Sequence, residues 1–374
     1  MGRNKAPSEI TIRMLCSKAA GMCEFEGCNE RLFYDNVTHG EFNHSFVAHI
    51  IASSVSGPRG DKELSAKLSD KLDNLMLMCA KHHKLIDDNP KEYTVDKLKK
   101  MKEKHEKKVE EICKLFYVPE TTLLFFSSAI KGKNEVVIDK NNAAKAALPN
   151  KKPDSQYGID IIVKDYNDYS STAYWVSCCK QLKDAYNRYI FSPLLQVKKG
   201  NFSLFPIAPI PLIIKLGELI GDKVSCDIYQ KTRVPDTWEW QENKITNEFS
   251  VKVEKQDSLD KNIALVISLT NDIQYDRIKS LYDYNNIYKI KAKRNGVDCI
   301  KSNEDLNEFW HVYQKTMEDI LNTWGKDCVI HLFPSMPVSA SFEVGRRYMK
   351  GVYPKVIIYD DNEGFFETIK LGDE

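Results

Sequence analysis

The first hundred residues combine helical and strand-like spacing of apolar positions, which predicts a small mixed α/β unit. Residues 8 to 21 carry apolar side chains at helical intervals, and Ser8 is suited to cap this helix. Residues 46 to 51 form a strand-like apolar run. A Lys/Glu-rich helix is predicted from Thr94, its N-cap, to about residue 115. Its seven lysines between residues 97 and 108 favour a solvated face, with contact to DNA phosphates as the second interpretation.

After Pro119 the pattern changes to apolar runs that end in proline-rich turns. We predict a helix over residues 172 to 189, a strand over 202 to 207, and a loop over the polar stretch 135 to 152. A weak repeat then appears, in which a strand enters a proline turn, a glycine-containing helix follows, and another strand ends in tyrosine. Its copies are Phe205-Pro206-Ile207-Ala208-Pro209-Ile210-Pro211, Leu216-Gly217 and Ile228-Tyr229, then Leu332-Phe333-Pro334-Ser335-Met336-Pro337, Gly345-Arg346 and Ile358-Tyr359. Two βαβ-like lobes are therefore expected, with residues 263 to 269 opening the second.

Composition narrows the classes of protein that fit. The chain has 374 residues, enough for two or three domains, and 54 Lys and Arg balance 53 Asp and Glu. A whole-chain basic field is thus excluded, and any contact with nucleic acid must come from local patches. The longest apolar stretch, residues 205 to 220, is broken by prolines and Lys215, and the start MGRNKAPSEI lacks an apolar signal core. Ten cysteines are too sparse for a disulfide scaffold. We expect a cytoplasmic protein with no membrane contact.

Two short-range pairs of soft ligands lie in the first unit. Cys23 and Cys28 form a C-x4-C pair, and Cys79 and His82 form a C-x2-H pair. Four such ligands suit tetrahedral Zn²⁺, which would stabilise a unit whose hydrophobic core is small. The alternative is that the cysteines are simply buried and the histidine lies at the surface.

The residues between and after these pairs add a second pattern. His49 lies between them, Asn74 precedes the second pair, His83 follows it, and Ile86-Asp87 forms a tail. This order resembles the HNH (His-Me finger) endonucleases over residues 16 to 90. The resemblance implies a ββα-metal fold beside a structural zinc.

The resemblance also implies a role for each of these residues. His49 would deprotonate a water that attacks phosphorus, and the carbonyl of Asn74 would orient its ring. His83 would hold a catalytic Mg²⁺ or Mn²⁺. Arg59 would clamp a phosphate of double-stranded DNA. Many HNH enzymes carry Asp directly before the base, where this chain has Ala48. Either another group supplies the second ligand, with the candidates Asp73 and His44, or waters and substrate phosphates suffice.

The repeated segments, together with Trp238-Glu239-Trp240 and Glu343-Val344-Gly345-Arg346, resemble a SAVED domain over residues 119 to 370. That family fuses two CARF-like Rossmann lobes and senses cyclic oligonucleotides in bacterial anti-phage (CBASS) defence. The fold class expected is α+β followed by α/β. A zinc-stapled ββα-metal HNH domain would span residues 1–117, and a SAVED domain 118–374, with lobes at about 118–255 and 256–374.

Ligands of α/β sheets sit beyond the carboxyl ends of the strands, where helix N-termini favour phosphates. We therefore place a cyclic nucleotide at the proline turns. Its candidate contacts are Ser127, Ser128, Lys131, Pro209, Pro211, Trp238, Trp240, Phe333, Pro334, Met336, Pro337, Ser339 and Arg346. For the tryptophans ordinary packing is the alternative, for the prolines a pure turn, and for Arg346 a surface cation.

The function expected is a metal-dependent endonuclease that a cyclic nucleotide activates to degrade double-stranded DNA with little sequence preference. A cyclic dinucleotide is preferred over a trinucleotide because the HNH-bearing SAVED effectors that this chain resembles sense dinucleotides. Activation is expected to assemble a homo-oligomer, with a tetramer favoured. Two alternatives stay open. One is a non-catalytic zinc module with a ligand sensor, and the other is a constitutive restriction-type nuclease that reads modified DNA.

Overall fold

The computed structural model describes residues 6–114, 116–132, 137–148, 150–155, 157–192, 200–242, 245–255 and 259–372. The chain separates into two compact units, Met1–Tyr117 and Val118–Glu374. Among the helices of the described ranges, none combines the length and the apolar character that crossing a bilayer requires.

The first unit is built around a two-stranded antiparallel sheet followed directly by a helix. Its elements are α1 (Glu9–Lys18), β1 (Ser45–His49), α2 (Leu64–Leu68), a 3-10 turn (Leu72–Asn74), β2 (Leu75–Cys79), α3 (Ala80–Asp88) and α4 (Val95–Lys114). In the sheet, Ser45 faces Cys79 and His49 faces Leu75. Every residue of β2 is buried, because α1 and α3 both pack against it. The strand predicted over residues 46 to 51 is thus present as β1, and β2 leads directly into α3.

Caps and apolar spacing account for the two longer helices of this unit. Ser8 accepts a hydrogen bond from the backbone of Thr11 and so caps α1. The hydroxyl of Thr94 accepts one from Lys97 at 3.3 Å at the start of α4. Leu98 is fully buried on α4, whereas most of its lysines lie exposed, as an amphipathic helix requires.

The second unit holds two α/β lobes. The first contains β3 (Glu120–Ser128), α5 (Lys140–Ala147), β4 (Lys152–Pro153), β5 (Ile159–Val163), α6 (Thr172–Tyr186), β6 (Asn201–Ile207), α7 (Ile210–Ile220) and β7 (Ser225–Ile228). The second contains β8 (Phe249–Lys255), β9 (Asn262–Ser268), α8 (Tyr275–Lys279), β10 (Asn286–Ala292), α9 (Asn303–Trp324), β11 (Val329–Ser335), α10 (Val338–Arg346), β12 (Lys355–Asp361) and β13 (Phe365–Leu371). A π-helical turn, Asn187–Phe191, continues α6.

Both sheets are parallel at their centre. In the first lobe β3 pairs with β6 on one side and with β4 and β5 on the other, and β7 completes the sheet beyond β6. In the second lobe the order is β13-β12-β11-β9-β10-β8, with antiparallel strands at both edges. The central strands β3 and β9 therefore hold equivalent positions in the two lobes, but β8 precedes β9 in the chain, so residues 263 to 269 do not open the second lobe as predicted.

Two sequence predictions are wrong in this unit. The lobe boundary near residue 255 is misplaced, because β8 pairs with β10 and belongs to the second sheet. The stretch predicted as a loop contains α5, which Asp139 caps and whose alanines lie buried at helical spacing. Alanine is the best helix former, and the surrounding Asn and Lys concealed this signal. Residues 133–136 and 149 of that stretch lie outside the described ranges.

The internal repeat is visible in side-chain detail. Phe205 stacks on Tyr229 with ring centroids 4.5 Å apart, and Phe333 stacks on Tyr359 at the same distance. Pro209 and Pro337 are the N-cap residues of α7 and α10. These two helices pack against each other, and one hydrophobic core contains residues of both lobes. The lobes are thus two copies of one unit that pack together through α7 and α10.

Candidate functional site

Four cysteine and histidine side chains converge in the first unit. The ligand atoms of Cys23, Cys28, Cys79 and His82 all lie within 4.8 Å of one another. Nδ1 of His82 is 3.2 Å from Sγ of Cys79 and 3.8 Å from Sγ of Cys23. Phe25 stacks on the His82 ring at 4.1 Å, nearly parallel to it, and so fixes its orientation. The end of β2 and the first turn of α3 thus meet the turn after α1.

Burial favours the neutral forms of the side chains in this cluster. Burial raises the pKa of the Cys23 thiol to about 12 and also raises that of Cys79. Burial lowers the pKa of His82, which favours a neutral imidazole with a free lone pair. A cation bound to the sulfurs would favour their thiolate forms. Three thiols and one imidazole within this distance are the donor set of a structural zinc site, so the residues present fit that metal.

A buried acidic residue, which the sequence did not single out, lies beside the cluster. Glu24 is fully buried and accepts a hydrogen bond from the backbone N–H of Leu77 at 2.6 Å. Burial raises its pKa to about 7, although Lys102 lies 3.7 Å away. Glu24 therefore ties the cysteine turn to β2 and to α4. No pattern marks it, because a glutamate in a polar turn is expected at the surface.

His49 ends β1 and is partly exposed. Its Nε2 lies 3.0 Å from the backbone carbonyl oxygen of Ser69. A carbonyl only accepts hydrogen bonds, so in the neutral ring Nε2 carries the proton and Nδ1 has the free lone pair. The ring is thus in the tautomer that a general base needs.

The prediction that Asn74 orients this ring is wrong. The Asn74 side chain is buried, accepts from the backbone N–H of Ile51 at 2.9 Å and donates to the carbonyl of Ile51 at 2.9 Å. These two bonds hold the chain just after His49 against the start of β2. Asn74 therefore positions the backbone of the site, and the carbonyl of Ser69 orients the ring.

His83 lies on α3, with its side chain 31% exposed. Phe46 of β1 stacks on its ring at 5.4 Å. Nε2 of His83 is 3.5 Å from Oδ2 of Asp87, one helical turn later. The two side chains predicted as alternative second ligands have other neighbours. His44 lies 3.5 Å from Glu30, and Asp73 borders a groove that Lys18 of α1 and Lys99 of α4 line.

The prediction that Arg59 clamps a DNA phosphate is also wrong. Its side chain is only 4% exposed and donates to the carbonyls of Ile50 at 2.7 Å and Ile86 at 2.6 Å, and to Oδ1 of Asp87 at 2.9 Å. A third carbonyl, that of His49, lies 3.4 Å away. All three nitrogens of the guanidinium thus donate to groups inside the protein. Arg59 links the end of β1 to the end of α3.

In the second unit the predicted ligand residues divide into exposed and buried groups. Ser127 is the last residue but one of β3 and pairs with Ile207, so it reaches the same sheet edge as the first proline turn. Lys131 follows in an exposed turn with left-handed backbone, φ 53°. Pro334 of β11 is partly exposed at the equivalent edge of the second lobe. These three residues are open to a ligand at the carboxyl ends of the strands.

Most of the side chains predicted to cover a base lie in the core. Trp238 is 1% exposed and packs edge-on against Phe205 at 5.3 Å. Phe333 is fully buried in its stack with Tyr359, and Met336 is 3% exposed. The other buried members of the predicted set are Ser128, Pro209, Pro211, Pro337 and Ser339. The aromatic residues were misassigned because the phenylalanine of each repeat stacks on the tyrosine of the same repeat inside the core.

The prediction that Arg346 contacts a phosphate is wrong too. Its guanidinium donates to the carbonyl of Cys226 at 2.8 Å and to that of Gly221 at 3.3 Å, and it lies 3.3 Å from Glu343. Arg346 therefore joins α10 to the connection between α7 and β7. Trp240 is half-buried and borders a cavity of about 320 Å³ between these elements, with Arg346 in its wall.

Two contacts that the sequence did not predict cross between the lobes at the strand ends. Oε1 of Gln230, just after β7, accepts from both the N–H (3.1 Å) and the hydroxyl (2.9 Å) of Ser339 at the start of α10. In the second contact, the hydroxyl of Tyr169 in the first lobe donates to Asp360 of β12 in the second lobe. Burial raises the pKa of Asp360. Gln230 and Asp360 directly follow the tyrosines of the repeat. The residue after the repeat tyrosine therefore hydrogen-bonds to the opposite lobe in both copies.

The sequence analysis expects the N-termini of α7 and α10 to offer backbone N–H groups to phosphates, but not all of these groups are free. Pro211 in the first turn of α7 has no N–H, and Gln230 occupies the N–H of Ser339 in α10. Both helices therefore begin at the predicted edge with fewer free donors than an open helix start has.

Comparison with known proteins bears on the second unit. Residues 190–371 match the family model of the SMODS-associated and fused to various effectors sensor domain (SAVED). No curated protein matches the chain. Solved structures that match include the Cap4 SAVED/CARF-domain containing receptor of Acinetobacter baumannii with the cyclic trinucleotide 2'3'3'-cAAA (12% identity, TM-score 0.46) or with 3'3'3'-cAAA (13%, 0.44). The Cap4 receptor of Moraxella osloensis also matches (12%, 0.39).

These matches are partial in length. They cover 78%, 84% and 78% of this chain, which spans 62%, 67% and 60% of those chains respectively. The match to the family model rests on the sequence and is therefore independent of the two-lobed fold. It covers the segment from the end of α6 to β13. Residues 190–371 are therefore similar to a SAVED domain.

Proposed function

We propose that this protein is a CBASS effector in which a cyclic oligonucleotide, bound by the SAVED domain, switches on an HNH-type endonuclease in the first unit. One observation carries the nuclease half of the proposal. His49 ends the first strand of a strand–strand–helix unit, in the tautomer of a general base, and the same unit holds a four-residue cysteine and histidine cluster. The match of residues 190–371 to a sensor family supports the other half.

The chemistry of His49 follows from its contacts. With Nε2–H donated to the carbonyl of Ser69, Nδ1 accepts a proton from water as the water oxygen attacks phosphorus. The new P–O bond forms while the bond to the leaving sugar oxygen breaks. Asn74 and Arg59 hold the backbone around His49 and so keep the ring where it acts.

Two metal ions are part of the proposal. Cys23, Cys28, Cys79 and His82 would hold a structural zinc, whose role is to join the turn after α1 to α3. His83, partly exposed on α3, would hold Mg²⁺ or Mn²⁺, which supplies positive charge for the phosphate and the leaving oxygen.

The ligand of the sensor would lie at the carboxyl ends of the strands, where Ser127, Lys131 and Pro334 are open to solvent. Structures of Cap4 receptors with cyclic trinucleotides support the ligand class, and a cyclic dinucleotide stays the preferred size. Binding would favour an assembly of several chains, with a tetramer expected, that places nuclease units on double-stranded DNA. To move such a switch from 1:99 to 99:1, the ligand must bind the active state more tightly by about 5.5 kcal/mol.

The deciding experiment is plasmid degradation by the purified chain with Mg²⁺ or Mn²⁺, with and without a panel of cyclic di- and trinucleotides. His49→Ala is compared with His39→Ala, a control at an exposed histidine of the same unit. We expect one nucleotide to switch on cleavage and His49→Ala alone to reduce it by about 10²- to 10⁴-fold. Light scattering of the same samples tests for the assembly.

Each alternative predicts a different result. A constitutive restriction-type nuclease cuts modified DNA and ignores every added nucleotide. A non-catalytic zinc module binds DNA or nucleotide but never cleaves, whichever histidine is present. Ala48, where a carboxylate ligand is usual in HNH enzymes, is the observation that favours this second alternative.

A further inference from the structure

The first unit lacks a carboxylate where HNH enzymes usually have one, directly before the base. Ala48 is 1% exposed and has no atom that binds a cation. A single imidazole, that of His83, is a poor ligand set for Mg²⁺ or Mn²⁺, because these hard cations prefer oxygen. If the proposed nuclease uses such a cation, an oxygen donor from elsewhere in the unit is needed.

Asp87 provides an oxygen next to His83. The two residues lie one turn apart on α3, and Oδ2 of Asp87 is 3.5 Å from Nε2 of His83. This separation is longer than a direct N–H···O hydrogen bond, which is 2.7 to about 3.2 Å. Two adjacent ligands of an octahedral Mg²⁺, each about 2.1 Å from it, lie about 3 Å apart. A cation held between the two atoms requires only a small side-chain adjustment.

Arg59 fixes the carboxylate in this direction. It donates to Oδ1 of Asp87 at 2.9 Å, which leaves Oδ2 on the side of His83. The same guanidinium is held by the carbonyls of Ile50 and Ile86, so it cannot swing away with the carboxylate. Its charge also offsets that of the carboxylate when no cation is bound. Phe46 fixes the His83 ring from the other side.

We infer that Asp87 is the second protein ligand of the catalytic cation and takes the role of the carboxylate missing at Ala48. This inference rests on the proposed function, since it assigns a ligand to that same site. It connects cation and base through one residue, because Arg59 contacts both Asp87 and the carbonyl of His49.

The test measures binding of Mn²⁺ by electron paramagnetic resonance in the full chain with a short DNA duplex. A His49→Ala background prevents cleavage during the measurement. Asp87→Asn keeps an oxygen for Arg59 but removes the charge, and Asp88→Asn is the matched control at an exposed neighbour. We expect Asp87→Asn to weaken Mn²⁺ binding by at least about 10-fold, the lower limit for loss of even an indirect partner of a metal. Asp88→Asn is expected to stay within about 2-fold.

A second pair of variants separates a ligand from a merely structural residue. Asp87→Cys should bind one Cd²⁺ more than Asp88→Cys, with a thiolate-to-Cd²⁺ charge-transfer absorption, because a thiolate ligates this soft cation. The pair also decides the matter if Asp87→Asn fails to fold. Unchanged Mn²⁺ binding in Asp87→Asn, or equal Cd²⁺ uptake by the two cysteine variants, overturns the inference. Cleavage by the chain with His49 intact, measured separately, shows whether the proposed function survives that result.

Discussion

Gly217 of α7 and Gly345 of α10 lie where the helices of the two lobes cross, each against the backbone of the other helix. A Cβ atom at Gly345 would lie 1.8 Å from the carbonyl oxygen of Ile214, and one at Gly217 would lie 2.3 Å from that of Phe342. Each glycine stands twelve residues after the phenylalanine of its own repeat. The repeat therefore places its smallest residue at the axis that relates the two lobes.

Gly345→Ala is expected to destabilise the second unit. Alanine favours a helix by up to about 1 kcal/mol over glycine, but the methyl group overlaps a backbone that cannot move aside. Overpacking of this kind costs about 1 to 3 kcal/mol or more, so the net change in the free energy of unfolding is unfavourable. Denaturant unfolding measures it, with Asn322→Ala on the exposed end of α9 as the control. An increase in stability for Gly345→Ala would show that the helices do not cross at this glycine.

Arg59→Ala tests whether this residue supports the site or contacts DNA. Its removal leaves the carbonyls of Ile50 and Ile86 without a donor and Asp87 without its partner. A buried carbonyl left without its donor costs about 1 to 3 kcal/mol, so we expect the first unit to unfold earlier. The control is Lys100→Ala on exposed α4. Weaker DNA binding with unchanged stability would instead support the prediction that Arg59 contacts a DNA phosphate.

Cys23→Ser is expected to abolish zinc binding. The wild-type chain should contain about one zinc, and the variant should contain almost none, because a closed site needs all four of its ligands. The first unit should then melt at a lower temperature, as it should after treatment of the wild type with a strong chelator. Elemental analysis and thermal unfolding measure both effects. Cys113→Ser, at an exposed position of α4, should retain its zinc.

His331 predicts a pH dependence of the second unit. Its ring lies between the hydroxyl of Tyr359 at 3.0 Å and the side-chain oxygen of Asn262 at 3.2 Å. Burial lowers its pKa below the usual 6.5. Just below pH 6.5, the unfolded chain therefore binds a proton at this histidine more readily than the folded chain does. This residue therefore favours folding above pH 6.5, and its contribution falls as the pH drops below that value.

The corresponding experiment compares unfolding of the wild type and His331→Gln from about pH 7.5 to 5.5, the range in which an ordinary histidine titrates. The variant should lose less stability over that range than the wild type. His311→Gln, an exposed histidine of α9, should follow the wild type. Equal slopes for the wild type and His331→Gln would contradict the assignment.

Local patterns in the sequence were sufficient for most of the elements, though not for α5, and for the cysteine and histidine cluster. The paired spacings of Cys23–Cys28 and Cys79–His82 are short-range features that the sequence shows directly. The repeat was also detectable, because its prolines and glycines perform the same local task in each copy. Catalytic roles at His49 and His83 stay predictions.

Side-chain roles that depend on distant partners were not predictable in the same way. An arginine between Pro58 and Gly60 in a polar loop suggests an exposed cation, yet left-handed backbone at Arg59, φ 57°, turns it into the unit. Trp238 suggested a stacking platform, but its partner Phe205 lies more than 30 residues earlier. Gln230 carries no sequence signal, because its partner Ser339 belongs to the other lobe.

The occupied starts of α7 and α10 have a consequence for how binding at that edge would respond to ionic strength. Pro211 lacks an N–H and Gln230 holds that of Ser339, so an anionic ligand there would depend more on exposed cations such as Lys131. Attraction between exposed charges is screened by dissolved ions, with a Debye length of about 10 Å at 0.1 M. Calorimetric titrations in low and high salt should then show a marked loss of affinity, which a pocket lined by rigid backbone donors would largely avoid.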